Sequence, residues 1–269
     1  MSKCCLSWVV FLCLGLLNSL NVQAAGLEGI TIRFCGDGSG WPPYTYIDPK
    51  EPGVVKGYDV DVIKEILESH GIIAEFSMPS WKQCLERAKD GHAFQVALSS
   101  SYNDKRAHDF IFTRKYYSSV QSYFYSTERF KVRPDIKKAS DLFLFGQVCG
   151  RYSYNYEGTG VLKNDQINMA AKSYTALVSR TLNDDCAFFI GRPSILLGFR
   201  LMEAKLINAN EISYAPIPNA KHDDFYMLIS RNSPYADELK RILDEGIERL
   251  EKSGRLKEIL DSYYIKMQS

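Results

Sequence analysis

The residues best suited to chemistry form one short stretch, Ser99 to Arg106, with the sequence SSSYNDKR. Three hydroxyls followed by a turn and an arginine can trap an anion, because hydroxyls and backbone N–H groups donate hydrogen bonds and the guanidinium adds a bidentate fork. Serine-rich turns are more often helix caps, and a single arginine is more often a solvated surface charge. The functional interpretation of this stretch therefore depends on the elements around it.

The first third of the chain alternates the hydrophobic patterns of strands and helices. We predict three strands separated by two helices, with the strands at residues 29–35, 72–78 and 94–98. This β-α-β-α-β order is typical of a parallel sheet, whose binding crevice lies outside the carboxyl ends of its strands. Trp41, Trp81 and the Ser99–Arg106 stretch all follow such ends. The sequence thus brings three separate segments toward one candidate site.

Three segments together resemble the family 3 extracellular solute-binding proteins, which include the polar amino-acid receptors of bacterial ABC importers. They are Trp41–Tyr46 (WPPYTY), Gly57–Asp61 (GYDVD) and Ser99–Arg106. The spacing fits nearly the whole mature chain. The resemblance implies an α/β fold of two lobes, each a mainly parallel sheet flanked by helices. Two hinge strands would join the lobes, with the ligand held between them.

The domain organisation expected from this resemblance has three parts. Residues 1–24 form a signal peptide, with Lys3 before an apolar core and Val22-Gln23-Ala24 as the cleavage site. Residues 25–122 and 225–269 form lobe 1, and residues 123–224 form lobe 2 with the hinge crossings. Cleavage would release the protein into the periplasm. Loss of Lys3 leaves a mature chain without net charge, which argues against nucleic acid as a partner.

Four cysteines remain in the mature chain, and an even number in an exported protein is compatible with disulfides. We predict a Cys149–Cys186 disulfide, because both residues lie at the edges of strands expected in one sheet of lobe 2. Cys35 and Cys84 could pair in lobe 1. No cysteine pair has the close spacing of a zinc site and the four histidines are scattered, so we expect neither a metal nor a cofactor.

The resemblance assigns roles to individual side chains. Arg106 would hold a ligand carboxylate with help from Ser101 and the backbone of Ser99, while Trp41 and Trp81 would sandwich the rest of the ligand. Residues after the first strand of lobe 2 would close from the other side. The expected ligand set is Trp41, Tyr44, Trp81, Ser99, Ser100, Ser101, Arg106, Arg151, Tyr152 and Gly191.

One position departs from the family pattern. Amino-acid receptors of this family place an acid after the lobe-2 strand to accept the α-ammonium, but here Gly191 occupies that position and Arg192 follows it. Two possibilities remain open: Asp37, Glu157 or Asp185 reaches the ammonium instead, or the ligand carries no ammonium. We favour the second, because burying an unpaired cation is costly.

The sequence therefore predicts a monomeric, non-enzymatic receptor that captures a small carboxylate-bearing solute, an amino acid or related organic acid, for the membrane subunits of an ABC importer. Some proteins of this fold are periplasmic dehydratases, so an enzyme acting on prephenate or arogenate is the alternative, with Glu157 as the acid. A sensory input module is a third possibility, although no signalling segment follows the binding region in this sequence.

Overall fold

A computed structural model describes residues 26–152, 154–203, 207–208 and 210–268. The signal peptide predicted at residues 1–24 lies outside the described residues. No described helix is long and apolar enough to cross a membrane.

The strands, in chain order, are β1 (Thr31–Cys35), β2 (Tyr46–Ile47), β3 (Val55–Lys56), β4 (Ile73–Ser77), β5 (Val96–Ser101), β6 (Phe110–Phe112), β7 (Tyr117–Ser119), β8 (Ser122–Ser126), β9 (Val148–Arg151), β10 (Asn168–Ala171), β11 (Phe188–Gly191), β12 (Ile212–Pro216) and β13 (Asp223–Ser230). The α-helices are α1 (Tyr58–Glu68), α2 (Trp81–Lys89), α3 (Asp104–Asp109), α4 (Tyr174–Leu182), α5 (Pro193–Gly198), α6 (Ala236–Lys252) and α7 (Arg255–Gln268). Short 3-10 helices span Ala139–Leu144, Glu157–Thr159, Asn164–Gln166 and Phe199–Met202.

The first sheet has the strand order β4-β1-β5-β13-β6, and β7 also pairs with β13. β1 is parallel to β4 and β5, whereas β13 returns antiparallel to β5 and β6. The serine stretch was predicted to follow a strand that ends at Leu98, but β5 continues to Ser101. The reason is long-range pairing, because Tyr226 and Phe225 of β13 lie opposite Ser100 and Ser101.

The second sheet has the order β10-β9-β11-β8-β12, with β9 parallel to both β10 and β11. β8 carries the chain into this sheet and pairs antiparallel with β11 and β12. The two sheets with their flanking helices are the two lobes of the periplasmic binding protein fold, as predicted. The lobe boundaries proposed at residues 122/123 and 224/225 fall within β8 and β13.

Each lobe carries one disulfide: the predicted Cys149–Cys186 bond is present, and the Cys35–Cys84 pairing that the sequence left open is present as well. Cys35 at the end of β1 is bonded to Cys84 on α2, with a Cα–Cα distance of 5.6 Å. Cys149 on β9 is bonded to Cys186, two residues before β11, with a Cα–Cα distance of 5.9 Å. Both bonds therefore tie a central strand to a neighbouring element within the same lobe.

The lobes contact each other across the cleft, and two of these contacts are especially close. The carbonyl oxygen of Pro42 in lobe 1 lies so close to α5 that a Cβ atom on Gly198 would be 2.6 Å from it. Arg151 of lobe 2 reaches Asp37 of lobe 1 with an Nη2–Oδ2 distance of 3.3 Å. The structure therefore represents a closed arrangement of the lobes.

Candidate ligand-binding site

A cavity lies in the cleft and takes its walls from both lobes. It contains about 540 Å³ of empty space, including its open mouth. Six residues of the predicted ligand set line it: Trp41, Trp81, Ser99, Ser100, Ser101 and Arg106. Eight further lining residues are outside that set: Gly36, Asp37, Thr45, Leu98, Tyr154, Asn155, Arg192 and Phe225. Three of these, Thr45, Leu98 and Arg192, directly adjoin a predicted residue in sequence, which is the signal that could have found them.

Arg106 brings an unpaired positive charge to this cavity. Asn103 caps α3 by accepting a hydrogen bond from the Arg106 backbone N–H at 2.9 Å, which fixes the start of the helix. The guanidinium Nη1 donates to the carbonyl oxygen of Ser101 at 2.8 Å, and its Cζ lies 5.7 Å from the centre of the Trp81 ring. Burial lowers the pKa of Arg106 to about 10. No described carboxylate lies within ion-pair distance of it, so the remaining donors are available to an anion.

A buried carboxylate, Asp59, orients the hydroxyl groups of two lining residues, Thr45 and Ser99. It accepts hydrogen bonds from Thr45 Oγ1, from Ser99 Oγ at 2.6 Å and from Tyr116 OH at 2.9 Å. Ser99 has φ 51°, a left-handed conformation, and its Oγ also accepts a hydrogen bond from Tyr117 OH at 2.8 Å. Burial raises the pKa of Asp59 to about 6.

The direction of these hydrogen bonds corrects one part of the sequence interpretation. All three serine hydroxyls were expected to donate to an anion, but the Ser99 proton points toward Asp59. The Ser99 backbone N–H likewise donates to Tyr116 OH, at 3.2 Å. Ser99 therefore has neither its hydroxyl proton nor its backbone N–H left to donate to a ligand, and Arg106 is left as the principal anion-binding group.

Hydrogen bonds and ring contacts hold the aromatic residues of the cavity wall in place. Trp41 Nε1 donates to Tyr117 OH at 2.9 Å, and the Trp41 ring meets Tyr154 of lobe 2 edge-on with centroids 5.5 Å apart. Trp81 lines the cavity from the first turn of α2, as expected. Tyr44 does not line it, because its ring is fully buried and stacks on Tyr117 at 3.8 Å.

Arg151 spans the cleft instead of lining the cavity. Its Nη2 donates to Ser39 Oγ at 2.9 Å and reaches Asp37 at 3.3 Å, and its guanidinium lies 4.4 Å from the Tyr154 ring centre. The side chains of this pair are only 7% and 11% exposed. Arg151, predicted as a ligand contact, therefore links the two lobes and is not among the residues that line the cavity.

Two other predicted contacts of lobe 2 lie away from the cavity. Tyr152 is 62% exposed, and its ring faces solvent. Its backbone N–H donates to the carbonyl oxygen of Ala171 in the neighbouring strand β10. Gly191 is buried within lobe 2, where a Cβ atom would lie 3.1 Å from Leu196 and 3.3 Å from Phe124. Tyr154 and Asn155, a few residues further along, line the cavity instead.

The third lining residue from lobe 2, Arg192, belongs to a buried charge cluster. Its Nη2 pairs with Asp223, which also accepts a hydrogen bond from Gln121 Nε2 at 2.5 Å. Within the described structure the Nε atom of Arg192 is buried without a hydrogen-bond partner. Glu157 and Asp185, two of the acids considered for an ammonium, are exposed and do not line the cavity.

The described residues contain no group of three or more side chains placed to hold a metal ion. The chemistry that this cavity offers is recognition by one unpaired guanidinium, aromatic faces and hydroxyl oxygens.

Comparison with known proteins agrees with this geometry. The profile of the family described as bacterial extracellular solute-binding proteins, family 3, matches residues 32–266. No curated protein sequence matches the chain. An amino-acid ABC transporter substrate-binding protein, AbpA, from Streptococcus pneumoniae, solved with bound L-arginine, shares the fold. It is 16% identical, with 88% of this chain and 95% of that chain covered and a TM-score of 0.67.

Two further solved structures are similar at comparable coverage. A histidine kinase sensor domain with similarity to periplasmic binding proteins is 20% identical, with 87% of this chain and 96% of that chain covered and a TM-score of 0.66. AncCDT-1, an ancestral amino-acid-binding protein and precursor of cyclohexadienyl dehydratase, is 13% identical, with coverages of 87% and 95% and a TM-score of 0.65. Identities this low establish a common fold and leave the ligand open.

Proposed function

The chain belongs to the bacterial extracellular solute-binding proteins of family 3, and we propose that it captures a small carboxylate-bearing solute and presents it to an ABC importer. The observation that carries this proposal is Arg106, a guanidinium that lines an aromatic cavity without a carboxylate partner among the described residues. A ligand carboxylate would supply the missing charge through bidentate hydrogen bonds. We propose that residues 1–24 direct export to the periplasm and that the receptor acts as a monomer of the polar amino-acid receptor type.

Capture would work by a shift between open and closed lobes. Arg106 and Trp81 belong to lobe 1, whereas Tyr154 and Asn155 belong to lobe 2, so only the closed state offers all four contacts to one ligand. A ligand stabilises closure only through contacts that the open state lacks. The bridge between Arg151 and the Asp37 segment would add to the closed state without touching the ligand.

The alternative function, a dehydratase acting on prephenate or arogenate, has weaker support from the geometry. The acid assigned to that chemistry, Glu157, is exposed and lies outside the cavity lining. The lining carboxylate, Asp37, is engaged by Arg151. Turnover of prephenate or arogenate by the purified protein would decide for the enzyme, whereas stoichiometric binding without turnover supports the receptor.

The test of the receptor proposal is a thermal-shift screen of standard amino acids and small organic acids, followed by calorimetry of the best ligand with an Arg106→Met variant. Loss of a charge-assisted contact to a desolvated carboxylate should cost about 2–5 kcal/mol, a factor of about 30 to 5,000 in affinity. Arg114→Met, which removes an arginine from the surface of lobe 1, is the matched control and should leave affinity unchanged. An affinity loss below a factor of about 5 for Arg106→Met would refute the assignment.

A further inference from the structure

Of the charged side chains in the described cavity lining, only one lacks an opposite charge beside it. Three charged side chains line the cavity: Asp37, Arg106 and Arg192. Asp37 is paired with Arg151, and Arg192 is paired with Asp223, so each of these pairs is close to neutral. Arg106 alone lacks a carboxylate within the described part of the chain. The lining as a whole therefore favours a ligand with a single negative charge.

Arg192 also places a hydrogen-bond donor and a positive charge in the part of the cavity wall that comes from lobe 2. Its side chain is 4% exposed and lies between two rings, with its Cζ 5.7 Å from the centre of Trp41 and 5.1 Å from that of Phe225. Pairing with Asp223 uses Nη2, while Nε remains a buried donor to which the described residues offer no acceptor. A buried donor without a partner carries a desolvation cost, which a ligand acceptor at this wall would remove.

The same wall is unfavourable to an ammonium group. An ammonium there would face the guanidinium of Arg192, and Asp223, whose Oδ2 is held by Arg192 and Gln121, is not among the residues that line the cavity. The lining acid Asp37 is held by Arg151 across the cleft. A desolvated cation without a free counter-charge is strongly disfavoured.

We propose that the ligand is a monoanionic organic acid that carries a neutral hydrogen-bond acceptor, such as a 2-oxo group, where an amino acid carries its ammonium. Arg192 is the residue that sets this specificity. The inference rests on the proposed function, since it takes the carboxylate to be held by Arg106. It adds the chemical class of the solute and identifies Arg192 as the residue that excludes zwitterions.

The direct test compares acids that differ only at the 2-position. Calorimetry would measure phenylpyruvate against L-phenylalanine, 4-methyl-2-oxopentanoate against L-leucine, and pyruvate against L-alanine. We expect the preferred 2-oxo acid to bind more tightly than its amino-acid partner by a factor of about 10 or more. The dianion 2-oxoglutarate should bind more weakly than the best monoanion, because only one positive charge is unbalanced.

An Arg192→Met variant tests the mechanism of exclusion. Without the guanidinium, Asp223 becomes a free carboxylate near the cavity, so the ratio of 2-oxo-acid to amino-acid affinity should fall by a factor of about 10 or more. The double variant Arg192→Met/Asp223→Leu removes the acid as well and should lose the gain in amino-acid binding. Thermal unfolding checks each variant for folding, and the wild-type comparison decides the proposal even where a variant fails to fold.

The outcomes separate this inference from the proposed function. Equal or tighter binding of any of these amino acids, with binding lost in Arg106→Met, would overturn the inference and leave carboxylate capture standing. Unchanged selectivity in a folded Arg192→Met variant would overturn the role of Arg192. If none of these 2-oxo acids binds to wild type, this inference is overturned, whereas the capture of small carboxylates is refuted only if the screen of standard amino acids and small organic acids also finds no ligand.

Discussion

Asp59→Asn is the substitution for which the structure gives the clearest quantitative expectation. The Asp59 side chain is fully buried and accepts three hydroxyl hydrogen bonds, and the described residues place no cation against it. The titratable groups that face it are tyrosines, chiefly Tyr116 and Tyr117, and burial raises their pKa values. Burial likewise raises the pKa of Asp59 from 3.8 to about 6, because desolvation outweighs the three hydrogen bonds.

This shift sets both the sign and the size of a pH effect on stability. The folded state takes up the Asp59 proton near pH 6, whereas the unfolded chain does so only near its ordinary pKa of 3.8. The stabilisation that proton uptake by Asp59 adds to the free energy of unfolding is therefore fully present below pH 3.8 and is lost as the pH rises through 6. Relative to an unshifted acid, ionised Asp59 costs about 3 kcal/mol at pH 7, and about 2 kcal/mol of this is regained by pH 4.5.

Urea unfolding at pH 7 and pH 4.5 would measure this difference in wild type and in Asp59→Asn. The asparagine variant should lack the gain of about 2 kcal/mol on acidification. Surface carboxylates with a lowered pKa, such as Asp48 with its hydrogen bond to Lys56, make the folded state less stable on acidification. They are present in both proteins, so their effect cancels when the two pH responses are compared. Asp237→Asn, at an exposed position on α6, controls for the loss of one charge. Parallel pH responses of wild type and Asp59→Asn, within about 0.5 kcal/mol, would refute the reasoning.

Three further substitutions have defined outcomes. Cys149→Ser opens a disulfide that joins residues 37 apart, so urea unfolding should show a loss of about 4 kcal/mol, and an unchanged midpoint would contradict this. Gly198→Ala places a Cβ atom 2.6 Å from the Pro42 carbonyl oxygen of the other lobe, so X-ray scattering should show a more open molecule; a scattering profile identical to wild type would count against it. Asp37→Asn weakens the bridge to Arg151 and should accelerate ligand dissociation several-fold by lowering the closed population, a claim that an unaltered dissociation rate would disprove.

The sequence predicted the architecture of the first lobe well, because each element there has a strong local pattern. Strands expected at 29–35 and 72–78 correspond to β1 and β4, and Ser80 caps α2 by accepting a hydrogen bond from the Gln83 N–H, a local pattern that the sequence Ser-x-x-Gln favours. Element ends were less accurate. The sequence Ser233-Pro234 is typical of a helix start, but the Ser233 Oγ accepts a hydrogen bond from the Tyr235 N–H in a preceding turn, and α6 begins at Ala236.

The candidate site was predictable where a motif lies on a regular element and less so on the loops of lobe 2. Arg106 lies on the short helix that Asn103 caps, so its position follows from local rules. The turn after β9 has no periodicity, and long-range contacts decide which of its side chains face inward. Tyr154, for example, meets Trp41 of lobe 1 with ring centroids 5.5 Å apart, a contact that sequence reasoning had no means of anticipating.

Native mass spectrometry of protein purified without added ligand tests the central claim most directly, because it identifies what the cleft holds. The account predicts that wild type carries one small carboxylic acid per chain, that Arg106→Met carries none, and that Arg114→Met retains it. A bound molecule without a carboxylate, or one retained equally by Arg106→Met, would contradict the claim that Arg106 captures the solute.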